Sequence, residues 1–216
     1  EVNKILIVAI ASNRGLCGAF NSNVLKQART ISEQNKSNTV DVFAIGKKAF
    51  ESLSKTENVI VNRSDIYDAL TFENVAEIAE DLTNKFLTGE YDKIVLVYNQ
   101  FVNAATQNVV EEQFLPLAPI VSSNAVVSAE LDYIYEPSKE EIVYTLIPKS
   151  LKTQLFKAIR DSYASEHGAR MTAMHKATDN AKDLRDQLKL TYNKARQAAI
   201  TNEILEIVGG AEALKG

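Results

Sequence analysis

Cysteine occurs once in the 216 residues. A lone cysteine excludes an internal disulfide and fits a reducing compartment. No apolar run approaches the roughly 18 residues needed to cross a bilayer, and no signal-peptide pattern precedes the first strand-like run. Positive charge is not in excess. Against 24 Lys and Arg stand 28 Asp and Glu, a formal net charge of −4, which argues against non-specific nucleic-acid binding. The phosphate-binding fingerprints are missing too. G-x-G-x-x-G is absent, and so is G-x-x-x-x-G-K-[ST]. Low-complexity tracts and repeats of fixed period are also lacking. No proline follows Pro148, and no glycine lies between Ala169 and Val208.

The first half alternates strand and helix patterns. Ile5 to Ala11 is nearly continuous aliphatic sequence, as in a parallel strand buried on both faces. Phe20, Val24, Leu25, Ala28 and Ile31 recur at helical spacing. Val40-Asp-Val-Phe-Ala-Ile-Gly reads as a second strand, Lys47 to Leu53 as a short helix, and Asn58 to Asn62 as a third strand. Phe72, Val75, Ala76, Ala79, Leu82 and Phe86 mark a further amphipathic helix closed near Gly89. A fourth strand begins near Tyr91, and the weak alternation from Phe101 to Leu117 suggests an antiparallel edge hairpin. The expected fold is α/β: a mostly parallel sheet flanked by helices, followed by a long C-terminal coiled-coil helix. The expected domains are a Rossmann-like globular domain over 1–136 and a helical region over 137–216.

The 40 residues from Ala169 to Val208 are good helix formers without a visible stop. At about 1.5 Å per residue they reach roughly 60 Å. A compact chain of this size is roughly 45 Å across, so the helix is expected to project from the body. Seven Lys or Arg against three Asp make Ala169–Asn202 net positive, which reads as a solvated face or as a surface for an acidic partner. Met174, Thr178, Ala181, Arg185, Leu188, Tyr192, Ala195, Ala199 and Asn202 step alternately by four and three. That is a heptad seam with small and polar members. Met171, Leu184, Ala198, Ile204 and Leu205 widen its apolar face. No other segment is long enough to cover it. A long helix preceding Glu1 is therefore expected as its partner, with self-association of the chain on its own.

The chemical candidates reduce one by one. Gly15 and Gly18 are two glycines two residues apart, which reads as a tight strand-to-helix turn needing positive φ or close approach. Cys17 lies near a helix start, where a thiol can be activated, but no base accompanies it. His167 and His175 are eight apart, about 80° around a helix, which suits neither a zinc pair nor a triad. The reading is a small buried cysteine and two surface histidines. Glu166 and Arg170 form a favourable i,i+4 pair. Asp179, Asp183 and Asp186 with Lys182 and Lys189 read as a solvated face. The segment Tyr133-Ile-Tyr-Glu-Pro is open between a capped loop and an exposed contact surface. No catalytic, cofactor-binding or metal site emerges.

Longer motifs carry a resemblance. Ile200-Thr-Asn-Glu-Ile-Leu-Glu206, followed by Gly210-Ala211, matches I-T-x-E-x-x-[DE]-x-x-x-G-A. Ser165 to Ala181 and Tyr133 to Pro137 fit in order. Ser12 to Asn21 matches S-D-R-G-L-C-G-x-F-N, with Asn13 where Asp is more common. Over essentially the whole chain the sequence resembles the ATP synthase gamma subunit family. The resemblance implies a non-catalytic central rotor with no cofactor, whose turn at Gly15, Cys17 and Gly18 is structural. It implies that Arg196, Gln197, Thr201 and Glu203 contact the beta subunit. Tyr133, Tyr135 and Glu136 would lie on the c-ring and epsilon side, and Ile204 to Leu214 would form an apolar bearing at the helix tip. The partners implied are the alpha and beta subunits of the catalytic hexamer, epsilon and the c-ring. The location implied is peripheral, on the cytoplasmic side of a bacterial inner membrane or the mitochondrial matrix side. With Cys17 alone, the paired-cysteine control of chloroplast-type relatives is not expected. A small α/β enzyme, or an unrelated coiled-coil adaptor with a helical dimerisation arm, are the competing readings.

Overall fold

The computed structural model describes residues 2–117, 136, 138–214 and 216. The chain divides into two units, Glu1–Thr172 and Ala173–Gly216.

The first unit is built on a strand that is aliphatic at every position from Ile5 to Ile10. β1 (Lys4–Ile10) lies at the centre of a five-stranded sheet. Side chains alternate across a strand, so β1 feeds two cores. Leu6, Val8 and Ile10 enter one, and Ile5, Ile7 and Ala9 the other. All six are essentially inaccessible to water. This is why no polar residue interrupts the run.

Around β1 the chain adds α1 (Phe20–Gln34), β2 (Thr39–Ile45), α2 (Lys47–Leu53), β3 (Asn58–Asn62), a 3-10 turn (Ser64–Tyr67), α3 (Phe72–Leu87), β4 (Lys93–Phe101) and β5 (Gln107–Leu115). The order across the sheet is β3-β2-β1-β4-β5. The first four strands run parallel, and β5 pairs antiparallel with β4 at the edge. The mostly parallel sheet and its antiparallel edge agree with the sequence reading. Val24, Ala28 and Ile31 of α1 and Ala49 and Leu53 of α2 cover one face. Val75, Ile78, Ala79 and Leu82 of α3 cover the other, together with Leu151, Leu155, Ala158 and Ile159 of a further helix, α4 (Lys139–Ala213).

Three local devices hold these elements. The Thr71 hydroxyl caps α3 by accepting from the Asn74 amide at 3.3 Å. The Asp92 carboxylate accepts from the backbone amides of Asn3 and Lys4 at 2.9 Å each, and these bonds hold its pKa below the usual carboxylate value. Gly46 connects β2 to α2 at φ 101°, where the Ala11 carbonyl passes so close that a Cβ would sit 2.1 Å from its oxygen.

α4 is longer than the glycine-free run suggests. It begins at Lys139 and continues through Pro148 and Gly168. Pro148 removes one helical donor, but residues around it are exposed, so water can serve the freed carbonyl. Gly168 has a packing cause. A Cβ there would lie 3.0 Å from the Ala104 oxygen and 3.1 Å from the Ala104 Cα, on the β4–β5 connection.

The sheet edge carries a titration signature. The Tyr98 hydroxyl donates to Glu112 Oε2 at 2.7 Å, while Gln154 Nε2 of α4 donates to Glu112 Oε1 at 2.7 Å. Burial first, then the bond to Glu112, pushes the Tyr98 phenol above its ordinary value of 10.0. The unfolded chain thus ionises this phenol before the folded one does. Its contribution to stability is intact below about pH 10 and falls as pH rises beyond it. Urea unfolding followed across that boundary should show declining stability, with a shallower decline in Tyr98→Phe. An unchanged slope in that variant would contradict the assignment.

Candidate functional site

The glycine turn between β1 and α1 has the wrong polarity for a phosphate cradle. Positive φ falls on Leu16 (63°) and Gly18 (59°) rather than on Gly15. The turn offers carbonyls to its neighbours. Ser12 Oγ donates to the Arg14 carbonyl. Arg170 Nη2 of α4 reaches the carbonyls of Arg14 and Gly15 at 3.4 Å each, and donates to Glu166 Oε1 at 2.7 Å. Glu166 is 7% exposed, so this pair is largely desolvated and cannot lose one partner cheaply.

Other side chains complete the turn. Asn13 Nδ2 donates to the Ser64 carbonyl, and Asn13 Oδ1 accepts from the Lys47 amide, both at 2.9 Å. One side chain thereby ties the turn to α2 and the 3-10 segment. Tyr67 donates its hydroxyl to the Ala11 carbonyl at 2.9 Å, and Asn99 Nδ2 donates to the Phe20 carbonyl at 3.0 Å. A polar cleft of about 220 Å³ lies here, lined by Asn13, Arg14, Tyr67, Glu166 and Arg170 among others.

Cys17 is 2% exposed and receives the Asn21 amide at 3.2 Å from Sγ. No basic side chain bonds to it among the described residues. His167 is exposed and packs edge-on against Tyr163, with ring centres 4.6 Å apart. Among the described residues, no three His, Cys, Asp or Glu side chains converge to hold a metal ion.

The second unit has the opposite character. Every described residue from Met174 to Leu214 is exposed. Leu188 is 60% exposed and Tyr192 66%. With Ala181, Leu184 and Arg185 they line a shallow, mainly apolar groove along the seam. Isolated helices in water gain little from propensity alone, and most helical stability in proteins comes from covering an apolar face.

Arg196, Gln197, Thr201 and Glu203 all lie on this exposed helix. At about 100° per residue, Gln197 and Thr201 fall on one face, roughly 150° from the seam positions Ala195, Ala199 and Asn202. Arg196 and Glu203 share a second face, roughly 80° from the seam. Gln197 and Thr201 therefore stay available when the seam is covered, whereas Arg196 and Glu203 flank it. The Thr201 hydroxyl donates back to the Gln197 carbonyl at 2.9 Å. Ile200, Ile204, Ile207 and Val208 form an apolar stripe on a side different from the seam, so Ile204 does not widen the seam's apolar face as the sequence reading expected. Glu136 is exposed just before α4. Tyr133 and Tyr135 lie outside the described residues.

Sequence reasoning missed the contact of Arg170 with the turn and the dual bridge made by Asn13. For Arg170 the signal was faint. Its i,i+4 spacing from Glu166 announced the ion pair but not the distant carbonyls. Gly168 was the better clue, because a glycine among strong helix formers costs about 1 kcal/mol unless a close approach demands it.

The ATP synthase family model matches residues 1–214. The ATP synthase gamma chain of Flavobacterium psychrophilum is 71% identical over the whole chain, which spans 75% of that relative. The central stalk and c-ring structure of the Tetrahymena thermophila mitochondrial ATP synthase contains a chain 25% identical, with a TM-score of 0.60. The match covers 82% of this chain and 76% of that one. A chain of the Euglena gracilis mitochondrial ATP synthase, 23% identical over 99% of this chain and 73% of its own, supports the fold with a TM-score of 0.73. With a long helix exposed, a family model matched from end to end and a relative 71% identical over the whole of this chain, the chain belongs to the ATP synthase gamma chain family, whose members are the non-catalytic central stalk subunit of the rotary enzyme.

Proposed function

We propose that the exposed part of α4 works with its faces divided between partners. The seam takes a second helix, or another copy when the chain is alone. The faces bearing Gln197 and Thr201, and Arg196 and Glu203, meet the beta subunits of the alpha–beta hexamer. The observation that carries this reading is the angular separation of those four residues from the seam. A rotor contact must form at one angle and be lost at another. Only such a differential contact can shift the beta subunits between conformations. The apolar stripe from Ile200 to Val208 suits a bearing, since it can slide without breaking directional bonds.

On the same reading, Tyr133, Tyr135 and Glu136 lie toward the c-ring and epsilon. The named assemblies of the Tetrahymena and Euglena neighbours, which include a c-ring, support that side of the arrangement. No described helix is long and apolar enough to cross a membrane. The chain sits peripherally, on the cytoplasmic side of a bacterial inner membrane or its mitochondrial equivalent.

The test is steady-state ATP hydrolysis by an alpha–beta assembly, with and without the gamma chain carrying this sequence. The expected result is sustained turnover only with gamma. Gln197→Ala should lower it about tenfold, as expected for losing one hydrogen bond to a charged partner, worth about 1.5 kcal/mol. Turnover indifferent to the chain, or equal for Gln197→Ala and the parent, would overturn the assignment.

A further inference from the structure

The Glu1–Thr172 unit holds its part of α4 from two sides. On one side, Gly168 presses against Ala104, where a Cβ would be 3.0 Å from the carbonyl oxygen. Thr172 Oγ1 shares its proton between that Ala104 carbonyl at 3.2 Å and the Gly168 carbonyl of its own helix at 3.1 Å, and Ser165 Oγ donates to the Asn99 carbonyl at 3.0 Å. On the other side, Arg170, braced by Glu166, reaches the carbonyls of Arg14 and Gly15. Placed at about 100° per residue, these two sets lie roughly 150° apart around the helix. Between them Leu151, Leu155, Ala158 and Ile159 fill the core beneath.

Such an arrangement does more than bury a helix. Apolar packing is non-directional, so the core side chains alone resist rolling of a helix about its axis weakly. Contacts on nearly opposite sides resist it in both senses. Rolling one way drives Gly168 into the Ala104 backbone, and rolling the other way pulls Arg170 off the turn. Glycine is needed on the first side because any side chain would hold the helix away. On the second side one nitrogen, Arg170 Nη2, bridges the Glu166 carboxylate and the two carbonyls, and its guanidinium stays charged.

We propose that this two-sided clamp is the joint that carries torque between the sheet and α4. The Arg14 and Gly15 carbonyls belong to a mechanical stop, and Arg170, Glu166, Gly168 and Thr172 are positioning residues for rotation. The proposal rests on the rotor reading above, and it adds where in the body the rotary load is borne.

The experiment uses the assembled complex with a bead attached to the α/β body of gamma and the catalytic hexamer immobilised without nucleotide. Angular fluctuations of the bead report torsional stiffness. Two comparable restraints act in parallel, so Arg170→Met should raise the angular variance roughly twofold, since packed interiors otherwise transmit strain stiffly. Arg170→Lys should recover part of the loss. Thr172→Val should raise the variance from the other side. Lys48→Met, which removes only an exposed pair with Glu51 on α2, should leave it unchanged. A purely structural role for Arg170 would lower the melting temperature without altering the variance. Parental variance in both Arg170→Met and Thr172→Val would overturn the clamp and leave the rotor reading intact. A parent complex showing no elastic restraint of the bead would overturn the rotor reading itself.

Discussion

Gly46→Ala should cost about 4 kcal/mol and bring the Glu1–Thr172 unit to the edge of unfolding. Two penalties combine. A backbone at φ 101° is one that residues with a Cβ rarely adopt, which costs about 1–3 kcal/mol. The added methyl would also lie 2.1 Å from the Ala11 oxygen and 2.8 Å from its carbonyl carbon. Those are main-chain atoms at the end of the central strand, where the Tyr67 hydroxyl also bonds the same oxygen. They cannot step aside as a flexible side chain would, and overpacking of this kind adds about 1–3 kcal/mol. Gly89→Ala is the built-in control. Its φ is 74°, but nothing lies within 4 Å of the new methyl, so only the backbone cost of about 1–2 kcal/mol applies. Urea unfolding of both variants separates the two contributions. A Gly46→Ala protein no less stable than Gly89→Ala would show that the strand end yields more readily than close packing allows.

Leu155→Ala should be the most damaging change in α4, at about 2–5 kcal/mol. Leu155 is fully buried among the residues that join α4 to the sheet. Truncation leaves a cavity at the centre of that contact, flanked by Leu151 and Ile159 along the helix. Leu188→Ala on the same helix removes an identical group that is 60% exposed. In the dilute monomer, where the seam is uncovered, it should change stability by no more than about 0.5 kcal/mol. Hydrogen exchange gives a local readout. Amides of α4 within the first unit should lose protection in Leu155→Ala and keep it in Leu188→Ala. Equal effects at the two positions would mean that α4 is not anchored through this core.

Much of this architecture was legible because burial leaves a periodic trace. β1 reads as aliphatic at every position after Lys4 because it has a core on each face. α1 reads clearly because Phe20, Val24, Ala28 and Ile31 keep one face inward. α3 was read less well. Phe72 was assigned to its buried face but is 38% exposed, packed edge-on against Phe156, while Ile78, fully buried, was passed over. The start of α4 was hidden by Pro148, since a proline in a helix is legible as an interruption but its tolerance in an exposed turn is not. The contacts made by Asn13 and Arg170 were hidden for a different reason. Each reaches a backbone carbonyl or amide far away in sequence, and main-chain partners leave no residue-type signature. Motif length, rather than spacing, carried the functional reading. A pair of glycines says little, whereas the twelve-position pattern from Ile200 to Ala211 is highly specific.

The central claim is that this chain turns as a unit and performs no chemistry. Cys17 is buried, so a cysteine introduced at the exposed Lys36 can carry a bead on the α/β body without competing labelling. The measurement is the angle of that bead on an alpha–beta assembly immobilised by its hexamer and supplied with ATP. The account predicts sustained rotation in one direction, stopping when ATP is exhausted. Continued ATP turnover beneath a bead that stays still or only jitters about one angle would contradict it.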